Sequence, residues 1–549
     1  MNTETFTRLC RAVDLAGWRY LLPAGKRRRV LCLDLGHGAA TLALAQSCDE
    51  VLSVPLHAED HEHLARRVRE SGASNVRVCE SIASAHAGSG RIDGLVAILF
   101  RCDHAGHRAR YARSRLRRAV AKAGDGFVLL GLPNALGYNA RPRPWGAGLR
   151  VHGARAVETL ASRERNRSVR TWPVLLHDGA PFEVLHGPYR AAGGSRRRSE
   201  RIKQLCLGRR GSRWLAPGFL VLADSDPGTL VVDEALRQVD AATGKRSRLR
   251  RQLAMRDKTI LVTEDDERGH IVVLPRTEVA LERRRHEAHV LRSAQSLAPR
   301  LRSLVPRVQG EGDFEGQAWF AIERVGGEFI DEPVADLETL SERAAAVLVD
   351  LHDQTREEVT VDAAIYDAHF GRLIAAAAGR HPDSDTEFAR IDAALRQALL
   401  GHKFPFVWMH GDYKIENVGI DPQRREPVSI IDWELSEPTG FPLIDLKYLL
   451  VYNRMIRGRC PFDAVHRLVA DGVGWTDWES ELLDEYCVAL KLTDHMRRVL
   501  RALFIVQSVG ARLQYNLEDP TEREPFFQLI GSALDLLIEV NQAREEHAA

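Results

Sequence analysis

The sequence predicts two architectures in one chain: an α/β N-terminal part built on a mostly parallel sheet, and an α+β C-terminal part with a small sheet-rich lobe ahead of a large helical one. Three observations predict this. Short apolar runs alternate with helix-spaced runs through the first 190 residues. Near residue 245 the texture changes to strands set close together. After "WFAIERVGG" the chain turns largely helical.

The strand-like runs of the first part are "RVLCLDLG", "EVLSVPL", "DGLVAILF" and "GFVLLGLPN". Between them "ATLALAQSC", "HEHLARRVRESG" and "RYARSRLRRAVAKAG" carry helical spacing. Residues 190–213 form a basic run in which Glu200 is the single acid, expected as an exposed loop. "WLAPGFLVLAD" extends the first part to about residue 230. "KTILVTED" and "HIVVLPR" then form a hairpin about "DERG", "TEVALERRRHEAHVLRSAQ" an amphipathic helix and "GQAWFAIERV" a further strand. The expected domains are 1–230, a small lobe at 231–327 and a helical lobe at 328–549.

Size and composition narrow the function classes. A chain of 549 residues exceeds one core, so two or three domains are expected. Hydrophobic residues at 44% and charged residues at 28% are an ordinary globular balance. A net charge of +2 supplies no global field for nucleic acid or membrane. No apolar run is long enough to span a bilayer, and no signal peptide opens the sequence. The eight cysteines are scattered without a CxxC pair, which fits free thiols and a cytoplasmic location rather than zinc or disulfides. The basic run lacks interleaved aromatics, which disfavours nucleic acid.

One stretch carries chemistry. "MHGDYKIENVGID" follows the apolar "FPFVW", and the apolar "VSIIDWE" ends in an acid shortly after. Phosphoryl transfer needs a carboxylate to orient the attacking hydroxyl and oxygen ligands to hold Mg²⁺ against phosphates. His410-Gly411-Asp412, four residues and then Asn417 have the catalytic-loop spacing of kinases, and Asp432 supplies the later acid.

With Gly after the His, this set resembles the aminoglycoside phosphotransferase and choline kinase-like family, a branch of the protein-kinase-like fold. "VLVDLHDQT", ending near His352, resembles the helix before the catalytic loop, and "GFPLIDLKYLL" the segment after the second metal ligand. The resemblance covers about 245–540. It implies a two-lobed protein-kinase-like C-terminal domain, ATP and Mg²⁺ as cofactors, and transfer to an alcohol group. Asp412 becomes the catalytic base, His410 the residue holding the loop's shape, Asn417 and Asp432 the metal ligands, and Asp445 the buttress of the loop. Backbone near Glu323 to Val325 takes adenine. Glu287 matches the helix Glu whose partner is normally a basic residue on "HIVVLPR". That position holds Val273; Arg276, three residues on, is the expected substitute for gripping phosphate, ahead of Lys258.

"VLCLDLGHGAATLALA" resembles motif I of the Rossmann-like S-adenosylmethionine methyltransferases, with Asp34, Gly36 and Gly38 at its acid and leading glycines. The resemblance covers about 5–185, and Asn134 stands where related enzymes have Asn. It implies possible S-adenosylmethionine binding at those three residues. The acid expected at the end of the second strand is replaced by Pro55, and Glu59 and Asp60 lie a turn later, facing outward. The domain therefore reads as a degenerate scaffold ahead of an active methyltransferase. His37 and His104 are expected to be structural.

The leading functional expectation is an ATP- and Mg²⁺-dependent kinase acting on a hydroxyl of a small molecule, first a sugar or glycan, then an aminoglycoside-type compound. Two alternatives stay open: a bifunctional kinase-methyltransferase of glycan biosynthesis, and a non-catalytic pseudokinase fused to a pseudo-methyltransferase.

Overall fold

The structure is a computed structural model that describes residues 16–35, 37–87, 90–100, 107–134, 158, 167–177, 180–189, 198–208, 215–225, 228–255, 257–265, 269–314, 316–458, 474–512 and 517–548. Contacts divide the chain into two compact units. The first comprises 1–191, 195–284 and 308–324; the second comprises 192–194, 285–307 and 325–549.

The first unit is organised on one sheet of 13 strands. In chain order they are β1 Arg29–Asp34, β2 Glu50–Pro55, β3 Val76–Val78, β4 Gly94–Ile98, β5 Phe127–Pro133, β6 Ser168–His177, β7 Ala180–Leu185, β8 Gly218–Asp224, β9 Arg248–Ala254, β10 Lys258–Glu264, β11 His270–Pro275, β12 Val308–Phe314 and β13 Gln317–Glu323. Their spatial order is β12-β13-β11-β10-β9-β7-β6-β8-β5-β4-β1-β2-β3.

β3-β2-β1-β4-β5 are all parallel, and β8 runs antiparallel between β5 and β6. Parallel strands need crossover connections, and the helices Ala39–Ala45, His61–Ser71, Ile82–His86 and His107–Lys122 supply them. Both sheet faces are buried, which is why β1 and β5 are near-continuous apolar runs rather than alternating ones. Val30, Cys32 and Leu129 enter one core, and Leu31, Leu33 and Leu130 the other.

Two borders differ from expectation. The sheet does not break at residue 230: β7 pairs with β9, so the strands of the expected small lobe continue the N-terminal sheet. Arg251 of β9 donates to Glu183 of β7 at 2.5 Å, a partly buried ion pair across that seam. The run at 190–213, expected as a loop, contains a helix at Arg198–Leu207; its residues 190–197 and 209–213 lie outside the described ones. The spacing of "RSERIKQLCL" is helical, but its charge density hid that behind a loop-like composition.

The second unit is mainly helical, with β14 Glu357–Thr360, β15 Lys403–Met409, β16 Val418–Ile420, β17 Pro427–Ile430 and β18 Glu437–Gly440. β14-β15-β18 form one small sheet and β16-β17 another. Around them pack helices Leu337–Thr355, Asp385–Leu399, Ile444–Gly458, Asp477–Ala489, Asp494–Ile505 and Pro520–Ala548. Phe370, Phe404, Phe406 and Phe441 make an aromatic cluster beneath β15, with centroids of Phe370 and Phe404 5.1 Å apart. Among the described residues no helix is long and apolar enough to cross a membrane.

One cation sits badly in this core. Lys447 is 5% exposed, and its Nζ lies 5.6 Å from the Phe504 ring centroid. Burial, reinforced by Arg501, pushes its amine down to about 7. The unfolded chain therefore binds more protons than the folded one between that value and the ordinary lysine range, so stability rises with pH across that window. Lys447→Met is expected to stabilise the protein at neutral pH by on the order of 3 kcal/mol and to flatten this slope. Urea denaturation at neutral and at alkaline pH checks both.

Candidate active site

The site grows from the end of β15. "KFPFVWM" is buried from its second residue on, and places His410 at the point where the strand stops. The chain then turns through Gly411, whose φ is +86°. A Cβ there would lie 2.1 Å from the Leu435 carbonyl oxygen, so this turn admits only glycine. Glycine between the His and the Asp is thus set by the close approach of the Trp433–Leu435 turn.

His410 is fully buried and shapes the loop from both ring nitrogens. Its Nε2 lies 3.0 Å from the Ile431 carbonyl, which accepts, and its Nδ1 accepts the Asp412 N–H at 3.3 Å. These partners assign the proton to Nε2. Burial holds its pKa below the ordinary histidine range despite Asp445, Asp412 and Asp432 nearby, so the ring is neutral and spans the two acidic segments.

Asp445 anchors the loop from below. It is completely buried in the first turn of Ile444–Gly458. Its Oδ2 accepts the His410 N–H at 2.6 Å and its Oδ1 the Gly411 N–H at 2.8 Å. His352 Nε2 stands 3.6 Å from the same carboxylate, while His352 Nδ1 meets the Tyr486 hydroxyl at 2.5 Å. That hydroxyl also accepts the Leu443 N–H at 2.9 Å, fixing a residue at φ +70° that would otherwise be strained. Burial alone drives the Asp445 carboxyl up, but His352, His410 and the backbone donors together hold it below the ordinary aspartate range.

Asp412 stands at the loop's outer end, half-buried. Burial pushes its carboxyl up; Lys414 opposes this, and Asp432 reinforces it. The two acids are separated in sequence by the β16-β17 hairpin. The hairpin makes the connection: Ile431 N–H donates to the Asn417 carbonyl at 3.0 Å, next to Asp432. Asn417 Nδ2 donates to the Asp412 carbonyl at 2.9 Å and to Asp412 Oδ2 at 3.1 Å, which leaves Oδ1 to meet a cation. Asp432 has φ +68°, a left-handed conformation aspartate tolerates, and opens the Trp433–Leu435 turn.

Two cations of this site are not among the residues expected from the sequence. Lys414 Nζ lies 3.4 Å from Asp412 Oδ2 and 2.6 Å from Glu416 Oε1; burial opposes its charge, but those acids keep its pKa above the ordinary lysine range. It sits inside the quoted stretch, and only its alternation with Asp412 and Glu416 hints at the pairing. Arg512 lies about a hundred residues on. Its guanidinium donates to the Gly411 carbonyl and stacks 4.8 Å over the Tyr448 ring. No local motif marks it.

The remaining expected residues fall in both units. In the first, Val273 is 3% exposed, paired with Ile260 and Phe320 in the sheet. Arg276 donates to the Met255 carbonyl. Lys258 opens β10, and Glu323 ends β13 opposite His270. In the second, Glu287 is buried at 4% exposure and Val325 is half-buried. Asp34 is 2% exposed, and its carboxylate is spent locally: it accepts from Gly38 N at 2.9 Å, Thr41 N at 3.2 Å and Thr41 Oγ at 2.8 Å. Gly38 has φ +78° at that turn, while Gly36 lies outside the described residues. Pro55 ends β2 level with Asp34, Glu59 is exposed and Asp60 is half-buried. Asn134 is buried and donates to the Ala216 carbonyl at 2.8 Å. His37 is exposed, and His104 lies outside the described residues.

Residues 252–481 match the phosphotransferase enzyme family, APH. That span includes the whole loop from His410 to Asp445. Among solved structures, a putative aminoglycoside phosphotransferase from Ralstonia eutropha JMP134 aligns at 16% identity over 57% of this chain and 97% of its own, with a TM-score of 0.33. The streptomycin-ATP-APH(2")-IIa ternary complex aligns at 11% identity over 55% of this chain and 97% of its own, TM-score 0.34. The bifunctional kinase-methyltransferase WbdD aligns at 13% identity over 95% of this chain and 92% of its own, TM-score 0.24. No curated protein matches the chain.

Proposed function

We propose that the protein is a phosphotransferase that moves the terminal phosphoryl group of ATP to a hydroxyl of a small molecule, a sugar or glycan first among acceptor classes. The observation that carries this reading is the joining of Asp412, Lys414, Asn417 and Asp432 around one loop whose shape His410 and Asp445 fix. The family match over 252–481 supports it.

In this reading Asp412 accepts the hydroxyl proton and aims its oxygen. Burial and Asp432 make it more basic than a free aspartate, which suits a proton acceptor. Lys414 offsets charge beside the reacting phosphoryl group, and Arg512 holds the loop through Gly411. Asn417 Oδ1 and the Asp432 carboxylate are hard oxygen donors and fit Mg²⁺, which takes few protein ligands. Among the described residues no group of three or more His, Cys, Asp or Glu side chains could hold a metal ion. Mg²⁺ bound there would neutralise the phosphate oxygens during transfer. On the family resemblance alone, Arg276 is proposed as the phosphate contact, Glu287 as the helix acid and Glu323 to Val325 as the adenine-binding segment. Arg276 is committed to the Met255 carbonyl, so it must exchange that partner to serve.

The N-terminal part is proposed as a Rossmann-like, methyltransferase-type scaffold. The parallel order β3-β2-β1-β4-β5 with β8 reversed supports the fold. Asp34 turned inward and Pro55 at the ribose position favour a domain without transfer activity. Titration with S-adenosylmethionine tests this: heat of binding at micromolar ligand would reject the scaffold reading.

The kinase reading is tested by incubating the protein with Mg²⁺ and γ-labelled ATP against free sugars, glycan fragments and aminoglycosides. Label transferred to one acceptor class and absent from Asp412→Asn supports it. Removal of Lys414 sharpens the assignment. Because Lys414 lowers the Asp412 pKa, Lys414→Met is expected to shift the acidic limb of the kcat/KM profile to higher pH and to lower kcat about tenfold or more.

A further inference from the structure

We infer that the first unit holds a second ligand site, a basic recess that takes a phosphate-bearing small molecule and owes nothing to the catalytic loop. The recess has a volume of about 530 Å³. It lies where the short Gly17–Leu21 helix, the end of the Ala39–Ala45 helix and the β12-β13 hairpin meet. Arg19, Arg27 and Arg28 line it, with Ser47 and Gln317 as further polar groups and Asp49 as the carboxylate among its described lining residues.

Arg19 carries the inference. It is only 5% exposed, yet it faces no carboxylate in its described contacts. Its Nη1 donates to the neutral Gln46 side chain, its guanidinium lies 5.4 Å from the Tyr20 ring centroid, and its Nε has no hydrogen-bond partner among the described residues. A buried guanidinium met by an amide and an aromatic face keeps an uncompensated charge and an unused donor, both costly. Arg27 lines the same recess; burial pushes its pKa down, Cys48 and Asp49 oppose this, and the positive charge of Arg19 adds a smaller lowering effect. Arg28 is exposed at the rim.

Guanidiniums of Arg19, Arg27 and Arg28 lining one concave space offer positive charge to an anion, and their planar forks match phosphate oxygens in a bidentate way. The volume exceeds what one phosphate fills and suits a small organic ligand. Buried Val231 and Phe314 give the wall an apolar patch for the non-phosphate part.

The test uses the full-length protein in EDTA, which suppresses metal-dependent phosphate capture at Asp432. Calorimetric titration with inorganic pyrophosphate, and with glucose 1-phosphate against glucose, supplies the probes. The expected result is saturable binding of both phosphates and none of glucose, weakened about tenfold or more by Arg28→Glu and by Arg19→Gln. Asp432→Ala should bind as wild type. Arg28→Glu alters an exposed side chain, so its folding is secure even where Arg19→Gln unfolds. Equal affinity in Arg28→Glu and Arg27→Gln, loss in Asp432→Ala, or displacement by chloride at matched ionic strength would overturn the proposal. Binding of pyrophosphate without the sugar phosphate would overturn the small-molecule part and leave an ion site. Failure of the kinase assay leaves every one of these outcomes unchanged.

Discussion

Asp412→Asn is expected to lower kcat by roughly 10³-fold while nucleotide affinity and folding stay as in wild type. The substitution preserves volume and an acceptor oxygen for Asn417 Nδ2, which now lies 3.1 Å from Asp412 Oδ2. It removes the group that takes the proton, and it frees Lys414 from its 3.4 Å partner. The loss therefore falls on kcat and leaves KM for ATP nearly unmoved. In the wild type the acidic limb of the pH profile should lie above the ordinary aspartate range, because burial and Asp432 raise that carboxyl. Asp412→Asn should erase the limb. Single-turnover kinetics with labelled ATP separates the step from binding, and wild-type turnover in this variant would remove Asp412 from its role.

Asp445→Ala is expected to have the largest structural effect. It deletes a carboxylate with no exposed surface that satisfies two loop N–H groups and faces His352. Each buried donor left unpaired costs about 1–3 kcal/mol, so the loop loses roughly 3–5 kcal/mol of local stability. Hydrogen exchange at His410 and Gly411 should accelerate steeply, with activity lost together with metal-dependent nucleotide binding. The pH dependence carries a sign. The Asp445 carboxyl is lower in the folded protein than in the unfolded chain, so its contribution is complete above the ordinary aspartate pKa. It disappears as pH falls through the lower folded value. Asp445→Ala should therefore flatten acid unfolding of the second unit below about pH 4. Unaltered exchange at His410 would show that the loop does not depend on this anchor.

Much of the segment from His410 to Asp432 was legible because its parts obey local spacing. Apolar "FPFVW" buries itself in β15 and delivers His410; four residues separate Asp412 from Asn417; "PVSI" forms β17, and Asp432 follows after Ile431. The residues that only tertiary packing brings in were not legible. Arg512 reaches Gly411 from a helix about a hundred residues downstream, and Tyr486 joins His352 to Leu443 through one hydroxyl. The sheet seam between β7 and β9 was hidden for the same reason. Neither "APFEVL" nor "RLRRQLA" is among the strands expected from the sequence, and nothing in either names the other as its neighbour. Arg19 and Arg27 likewise look, in sequence, like ordinary surface charge.

In the proposed mechanism Asp432 and Asn417 hold a metal that joins ATP to this loop. Thermal stabilisation by ATP, with Mg²⁺ and with EDTA, in wild type and in Asp432→Ala, tests it most directly. The expected result is a metal-dependent rise in unfolding temperature in the wild type and its loss in Asp432→Ala. The same ATP response in both proteins, or no response at millimolar Mg²⁺-ATP in either, would contradict it.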